Sequence, residues 1–204
     1  MKDEMGWSAT KGLDHIGIVV ADIESATQFL IDALGAEVIY ESMGPDEPPL
    51  GGGDGAREPN EFERRHNLAA GAELRAQRMV RLGYGPDIEL FQLAAPDQRA
   101  PLCGSDLGLT HFAVWVDDIE AARQRFEDAG GTILSPVMEI PFAQEAGEGN
   151  RYCYARTPFG VGVEFIALPG EMGYERAGCG SRRWQRRMRA SVGMGMGMGE
   201  AHAG

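Results

Sequence analysis

An internal repeat constrains this chain more than any other feature. Setting His15 over His111, 96 residues apart, aligns HIGIVVADIESATQFLIDALG with HFAVWVDDIEAARQRFEDAGG. Ten of the 21 positions are identical: His15, Val20, Asp22, Ile23, Glu24, Ala26, Gln28, Asp32, Ala33 and Gly35 match their partners in the second copy. Self-similarity of this kind means that one supersecondary unit occurs twice.

Both copies read alike in physical terms. A β-rich run (13–20, 109–116) precedes an aspartate, Asp22 or Asp118, suited to cap a helix by accepting from an unpaired first-turn amide. Apolar residues then recur at helical spacing: Ile23, Ala26, Leu30 and Leu34, and Ile119, Ala122, Phe126 and Ala129. Gly35 and the Gly130-Gly131 pair stop the helices, because glycine accepts the left-handed conformation that ends them. Strand-like segments follow at 36–41, 74–82 and 87–93, and again at 132–134, 152–156 and 162–167. The turns Gly83-Tyr84-Gly85-Pro86 and Thr157-Pro158-Phe159-Gly160 join the last two strands of each set. The order is β-α-β-β-β twice.

This pattern predicts an α+β protein of two paired βαβββ modules, forming an open, half-barrel-like mixed sheet with helices on its convex face. Residues 1–11 are an N-terminal extension, 12–95 the first module, 96–108 a linker, 109–170 the second module and 171–204 a tail. The first module carries a Pro-, Gly- and acid-rich insertion at about 42–72, with a short helix expected near 58–67. Loops of that length serve as lids or binding loops, or stay disordered.

Strand alternation sorts the polar residues. Ile16, Ile18 and Val20 share one face, as do Phe112, Val114 and Val116; His15 and His111 point to the other. By the same parity Glu89 and Glu164 leave the helix-covered face, between Ile88 and Leu90 and between Val163 and Phe165. A carboxylate within an apolar strand is costly unless it is paired or binds a cation. Two histidines and two glutamates at matching places therefore suggest one divalent metal, with His15, Glu89, His111 and Glu164 as ligands. Imidazole nitrogen and carboxylate oxygen suit zinc, nickel, cobalt, manganese or iron(II). His66 and His202 lack partners in the other copy and are read as solvated. No organic cofactor is expected.

The segments LDHIGIVVADIE, DIELFQL, LTHFAVWVDDIE and GNRYCYARTPFGVGVEFIALPG give residues 12–170 a resemblance to the vicinal oxygen chelate family. That family includes glyoxalase I, methylmalonyl-CoA epimerase and extradiol dioxygenases. The resemblance implies a cleft with metal ligands on the first and last strand of each module, here His15, Glu89, His111 and Glu164. Two histidines with two acids look like bacterial glyoxalase I; the epimerase often has glutamine where Glu89 stands. The implied activity is an isomerase, epimerase or glyoxalase-type lyase that abstracts a proton beside a metal-chelated carbonyl. The family's ligating base corresponds to Glu164 first and Glu89 second. Alternatives are an iron(II) or manganese extradiol dioxygenase, disfavoured by a fourth ligand, and a metal-free antibiotic-binding protein, disfavoured by an intact ligand set. Substrate contacts are expected from Arg78 and Arg81 on the strand paired with Glu89, and from Arg151, Tyr152, Tyr154 and Arg156 on the strand paired with Glu164. Only alternate residues of each strand can face the cleft.

Charge narrows the partners. The chain carries a net charge of −12, but six arginines (Arg176, Arg182, Arg183, Arg186, Arg187, Arg189) fall after residue 175 against one acid, Glu200. The rest holds 13 basic and 30 acidic residues, a net −17, which repels phosphate backbones and argues against nucleic acid. No apolar run reaches membrane-spanning length and residues 1–12 lack a secretory apolar core, so a cytoplasmic protein is expected. Three cysteines without a CxxC pair leave a disulfide framework improbable. The expected partners are a small-molecule substrate and a second copy of the chain, with module pairing within or between chains left open. The Arg-rich stretch 181–189 and the Met-Gly end are read as a flexible tail.

Overall fold

In the computed structural model, which describes residues 12–52, 58–101 and 103–178, each copy of the repeat forms its own mixed sheet. The first contains β1 (His15–Val20), β2 (Glu37–Met43), β3 (Leu50–Gly51), β4 (Glu73–Arg81) and β5 (Asp87–Ala94). The second contains β6 (His111–Trp115), β7 (Thr132–Ile133), β8 (Met138–Glu139), β9 (Arg151–Arg156) and β10 (Gly162–Ala167). Strand orders are β1-β5-β4-β2 and β6-β10-β9-β7, with β3 added at β4 and β8 at β9. In each module the first and last strands run parallel, placing Gly17 beside Glu89 and Ala113 beside Glu164. Both sheets are open, and β1 and β6 are edge strands.

The helices are α1 (Ile23–Leu34), α2 (Glu61–Arg65), α3 (Ile119–Asp128) and α4 (Gly173–Arg176). The aspartate caps form as expected: Asp22 accepts from the Ser25 amide at 2.7 Å, and Asp118 from the amides of Glu120 and Ala121. Those bonds from Ser25 hold the Asp22 carboxyl below its usual range. Gly35, at φ 69°, ends α1 in the left-handed conformation.

The two modules share one core. Ile18, Val20, Ile88 and Leu90 of the first sheet belong to the same buried cluster as Phe112, Val163 and Phe165 of the second. Between them α1 packs on α3, with the rings of Phe29 and Phe126 edge to face at 5.0 Å. Full burial of one such side chain stabilises by about 1.5–3 kcal/mol. Arg125 of α3 locks the contact by donating to the carbonyls of Ile31 and Asp32, in the last turn of α1.

Two segments are more ordered than their composition suggests. In the insertion, Asn60 and Glu63 form a reciprocal capping box that starts α2, and the buried Glu63 carboxylate also accepts from Gly71 N at 3.0 Å. The fold also continues past residue 170, the expected end of the second module. Met172 is buried, Tyr174 N donates to Gln144 O at 2.8 Å, and Arg176 donates to Ala146 O at 2.9 Å. Gly173 allows this close approach, since a Cβ there would lie 1.8 Å from Ala143 O. Residues 1–11, Cys179, the 181–189 stretch, His202 and the Met-Gly end lie outside the described residues. Among the described residues no helix is long and apolar enough to cross a membrane.

Candidate metal centre

The core fixes which way each strand faces. Ala76 and Val80 of β4 are buried in the core on the α1 side, so Gln77 and Met79 take the opposite, open face, where Glu89 and Phe91 also emerge from β5. In β9 the buried Cys153 and Ala155 set the same phase and turn Tyr152, Tyr154 and Arg156 outward, across from Ile166, Glu164 and Gly162.

The open faces carry two histidine–glutamate pairs of matching geometry. His15 Nε2 lies 3.2 Å from Glu89 Oε2, and His111 Nε2 lies 3.2 Å from Glu164 Oε2. Both carboxylates are largely buried, at 15% and 16% side-chain exposure. Behind the imidazoles, His15 Nδ1 meets Asp14 Oδ2 and His111 Nδ1 meets Thr110 Oγ1, each at 2.9 Å. A carboxylate only accepts, so the Asp14 contact puts a proton on Nδ1 of His15 and directs the lone pair of Nε2 at Glu89. Two lone pairs at that separation require a cation or a proton between them. The Asp14 hydrogen bond and the fields of Glu89, Asp14 and Asp87 raise the pKa of His15. The donor set therefore suits a divalent cation.

The four residues stay in two pairs. Among the described residues no three histidine, cysteine, aspartate or glutamate side chains gather in one metal-binding cluster. The pairs sit on different sheets, whose helix-covered sides face the shared core.

The remaining sequence candidates divide by strand parity. Arg81 shares the phase of Gln77 and Met79 at the exposed end of β4. Tyr152, Tyr154 and Arg156 stand with Glu164, and the rings of Tyr154 and His111 meet edge to face at 5.2 Å. Burial and the nearby Glu164 push the Tyr154 phenol above its usual pKa, keeping it a hydrogen-bond donor. Next to this pair a cavity of about 480 Å³ opens, lined by Thr110, His111, Ser135, Tyr154 and Arg156 among others. Arg78 and Arg151 face the other way. Arg78 is buried on the helix side, bonded to Glu24 and Thr27 of α1 and to Glu41 of β2, because it has the parity of Ala76 and Val80. Arg151 has the parity of Cys153 and Ala155. Neither reaches the open face.

Residues 14–154 match the family described as the Glyoxalase/Bleomycin resistance protein/Dioxygenase superfamily. The chain belongs to that superfamily. It is 32% identical over 167 residues to the 2-epi-5-epi-valiolone epimerase of Actinomyces sp, covering 79% of this chain and 82% of the relative. Its fold is similar to that of a glyoxalase family protein from Bacillus cereus (TM-score 0.58, 18% identity, 81% of this chain and 99% of that one). It is also similar to a glyoxylase/bleomycin resistance protein/dioxygenase domain from Frankia sp. (TM-score 0.54, 14% identity, 83% and 99%). One residue of this superfamily member stood outside the sequence reading. Gln77 projects onto the open face and its amide donates to Glu89 Oε1 at 2.5 Å. The signal was its parity, opposite to Ala76 and Val80.

Proposed function

We propose that the chain is a divalent-metal-dependent epimerase that inverts a carbon beside the carbonyl of a small polyhydroxylated ketone. The observation that carries the reading is the matched pair of His–Glu contacts on a chain that shares 32% identity with a 2-epi-5-epi-valiolone epimerase. The open face supports this substrate class. Gln77, Arg81, Tyr152, Tyr154 and Arg156 offer donors to hydroxyl groups, while the Phe91 ring offers a flat apolar floor.

His15, Glu89, His111 and Glu164 would hold the ion, contributed by two copies of the chain. Within one chain the shared core turns the two open faces apart, and among the described residues β1 and β6 pair with a strand on one side only, β1 carrying the exposed Val19. A twofold pair of chains would set His15 and Glu89 of one copy against His111 and Glu164 of the other, giving two equivalent sites. A divalent ion there supplies Lewis-acid polarisation of a carbonyl oxygen. Glu164 takes the proton from the neighbouring carbon, the Tyr154 hydroxyl and Arg156 orient the substrate, and a solvent-derived proton delivered to the opposite face of that carbon completes the inversion, with Glu164 returning its own proton to water.

The test pairs metal analysis with proton exchange. Expected are one ion per chain in a dimer and solvent deuterium at the carbon beside the carbonyl when polyhydroxylated ketones are incubated in deuterated water. A protein without metal after reconstitution overturns the reading. Oxygen uptake in step with catechol turnover would mark a ring-cleaving dioxygenase instead.

A further inference from the structure

The two glutamates are alike in position and unlike in what holds them. Gln77 lies on β4 opposite Phe91 and reaches along the open face to donate to Glu89 Oε1, while Oε2 of the same carboxylate faces His15. Both oxygens of Glu89 are thus directed by neighbours. At the matching place on β9 stands Tyr152, opposite Ile166, whose ring packs edge to face on Tyr154 at 5.7 Å. Among the described residues no amide or hydroxyl is seen donating to Glu164, whose carboxylate faces His111 with Tyr154 beside it in register.

From this asymmetry we infer that Gln77 is a positioning residue: it clamps Glu89 in a ligating posture, a restraint that no described residue places on Glu164, the base proposed above. The inference rests on the metal-dependent reading above and deepens it by giving the two glutamates different tasks. A carboxylate held through one oxygen loses little rotamer freedom when the other binds an ion. A carboxylate without such a donor pays that ordering cost on binding, and it can leave more readily. The clamp therefore favours affinity at Glu89.

The experiment uses the full chain, stripped of metal and titrated with Co²⁺, following the ligand-field absorption and the dissociation constant. Gln77→Met keeps the length of the side chain and removes the donor. It is expected to weaken Co²⁺ binding about 10–100-fold and to shift the absorption bands, with the urea midpoint of the metal-free chain nearly unchanged. Gln77→Leu repeats the measurement should methionine disturb the fold. Tyr152→Phe, at the matching place, is expected to leave Co²⁺ affinity within about twofold, since nothing links that residue to Glu89. Binding and spectra that ignore both Gln77 substitutions overturn the clamp while the metal reading stands. Failure of the unaltered chain to bind Co²⁺ overturns both.

Discussion

The two modules keep the same open-face pair and exchange almost everything behind it. Arg78 of β4 corresponds in register to Cys153 of β9, and Thr27 of α1 corresponds to Arg123 of α3. The arginine has moved from strand to helix between the copies, while its glutamate has stayed: Arg78 bonds Glu24, and Arg123 bonds the equivalent Glu120. In the first module the arginine is nearly buried and ties helix to sheet. In the second it bonds within its own helix, and the strand position holds the buried Cys153, whose thiol burial pushes up to about 11. Meanwhile the His–Glu separation is 3.2 Å in both. The helix-covered face admits different solutions provided volume and charge are satisfied, whereas a shared ion would demand one geometry from both halves.

The sharpest way to break the equivalence is at the carboxylates. Glu164→Gln is expected to slow solvent deuterium exchange about 10²–10⁴-fold, the usual contribution of a positioned base, while retaining most metal. Glu89→Gln should act chiefly on metal content. Metal per chain and exchange rate, measured on both variants, separate the two; equal losses of both would return the glutamates to one role.

Next in size is the displaced arginine. Arg78→Ala leaves Glu24 and Glu41 without their partner, but both can reach water, so the cost is about 2 kcal/mol, below that of a fully buried broken pair. Arg123→Ala, whose partner Glu120 is well exposed, should cost under about 1 kcal/mol. Urea unfolding of both proteins gives the comparison, and equal costs would deny any difference between the modules.

Acid titration sharpens the same point. The hydrogen bond from Arg78 lowers the Glu24 pKa below its ordinary 4.5. The unfolded chain then binds the proton more readily, so this stabilisation is complete above the ordinary value and is lost as pH falls through the lowered one. Stability measured from pH 6 downward should fall less steeply in Arg78→Ala than in the unaltered protein. Parallel curves would exclude the pair as a source of acid sensitivity.

The smallest expected effect is at Gly17, which matches Ala113. A Cβ there would come within 3.2 Å of the Phe91 ring, whereas the second copy has an alanine, Ala113, and carries Ile166 at the register position of Phe91. Gly17→Ala should change stability by under about 0.5 kcal/mol, because restricting the unfolded chain offsets the displaced ring. A rise in KM without a fall in kcat would identify the ring as substrate floor.

Much of this was legible in the sequence because the repeat supplied two readings of every element. Helix caps at Asp22 and Asp118, the β-α-β-β-β succession of elements, and the opposite facing of His15 and Ile16 follow from local chemistry and period. The facing of Arg78 was also present, since it alternates in phase with Ala76 and Val80, yet arginine's charge argued for solvent until Glu24 and Glu41 were seen around it. Gln77 was obscured because an amide carries no charge and has no equivalent in the second copy. The packing of α1 on α3 was beyond reach, because both helices show an apolar stripe that would equally suit separate halves.

Sharing one core has a consequence for how the protein is made. Arg125 closes the end of α1 from 93 residues away in the chain, and Phe29 waits for Phe126. Synthesis at about 5–20 residues per second leaves several seconds between completion of β5 and arrival of α3. Through that interval the first module shows an apolar flank with nothing to cover it. A nascent chain paused there is half a core, exposed to aggregation and to any chaperone that recognises Phe29, Leu30 and their neighbours.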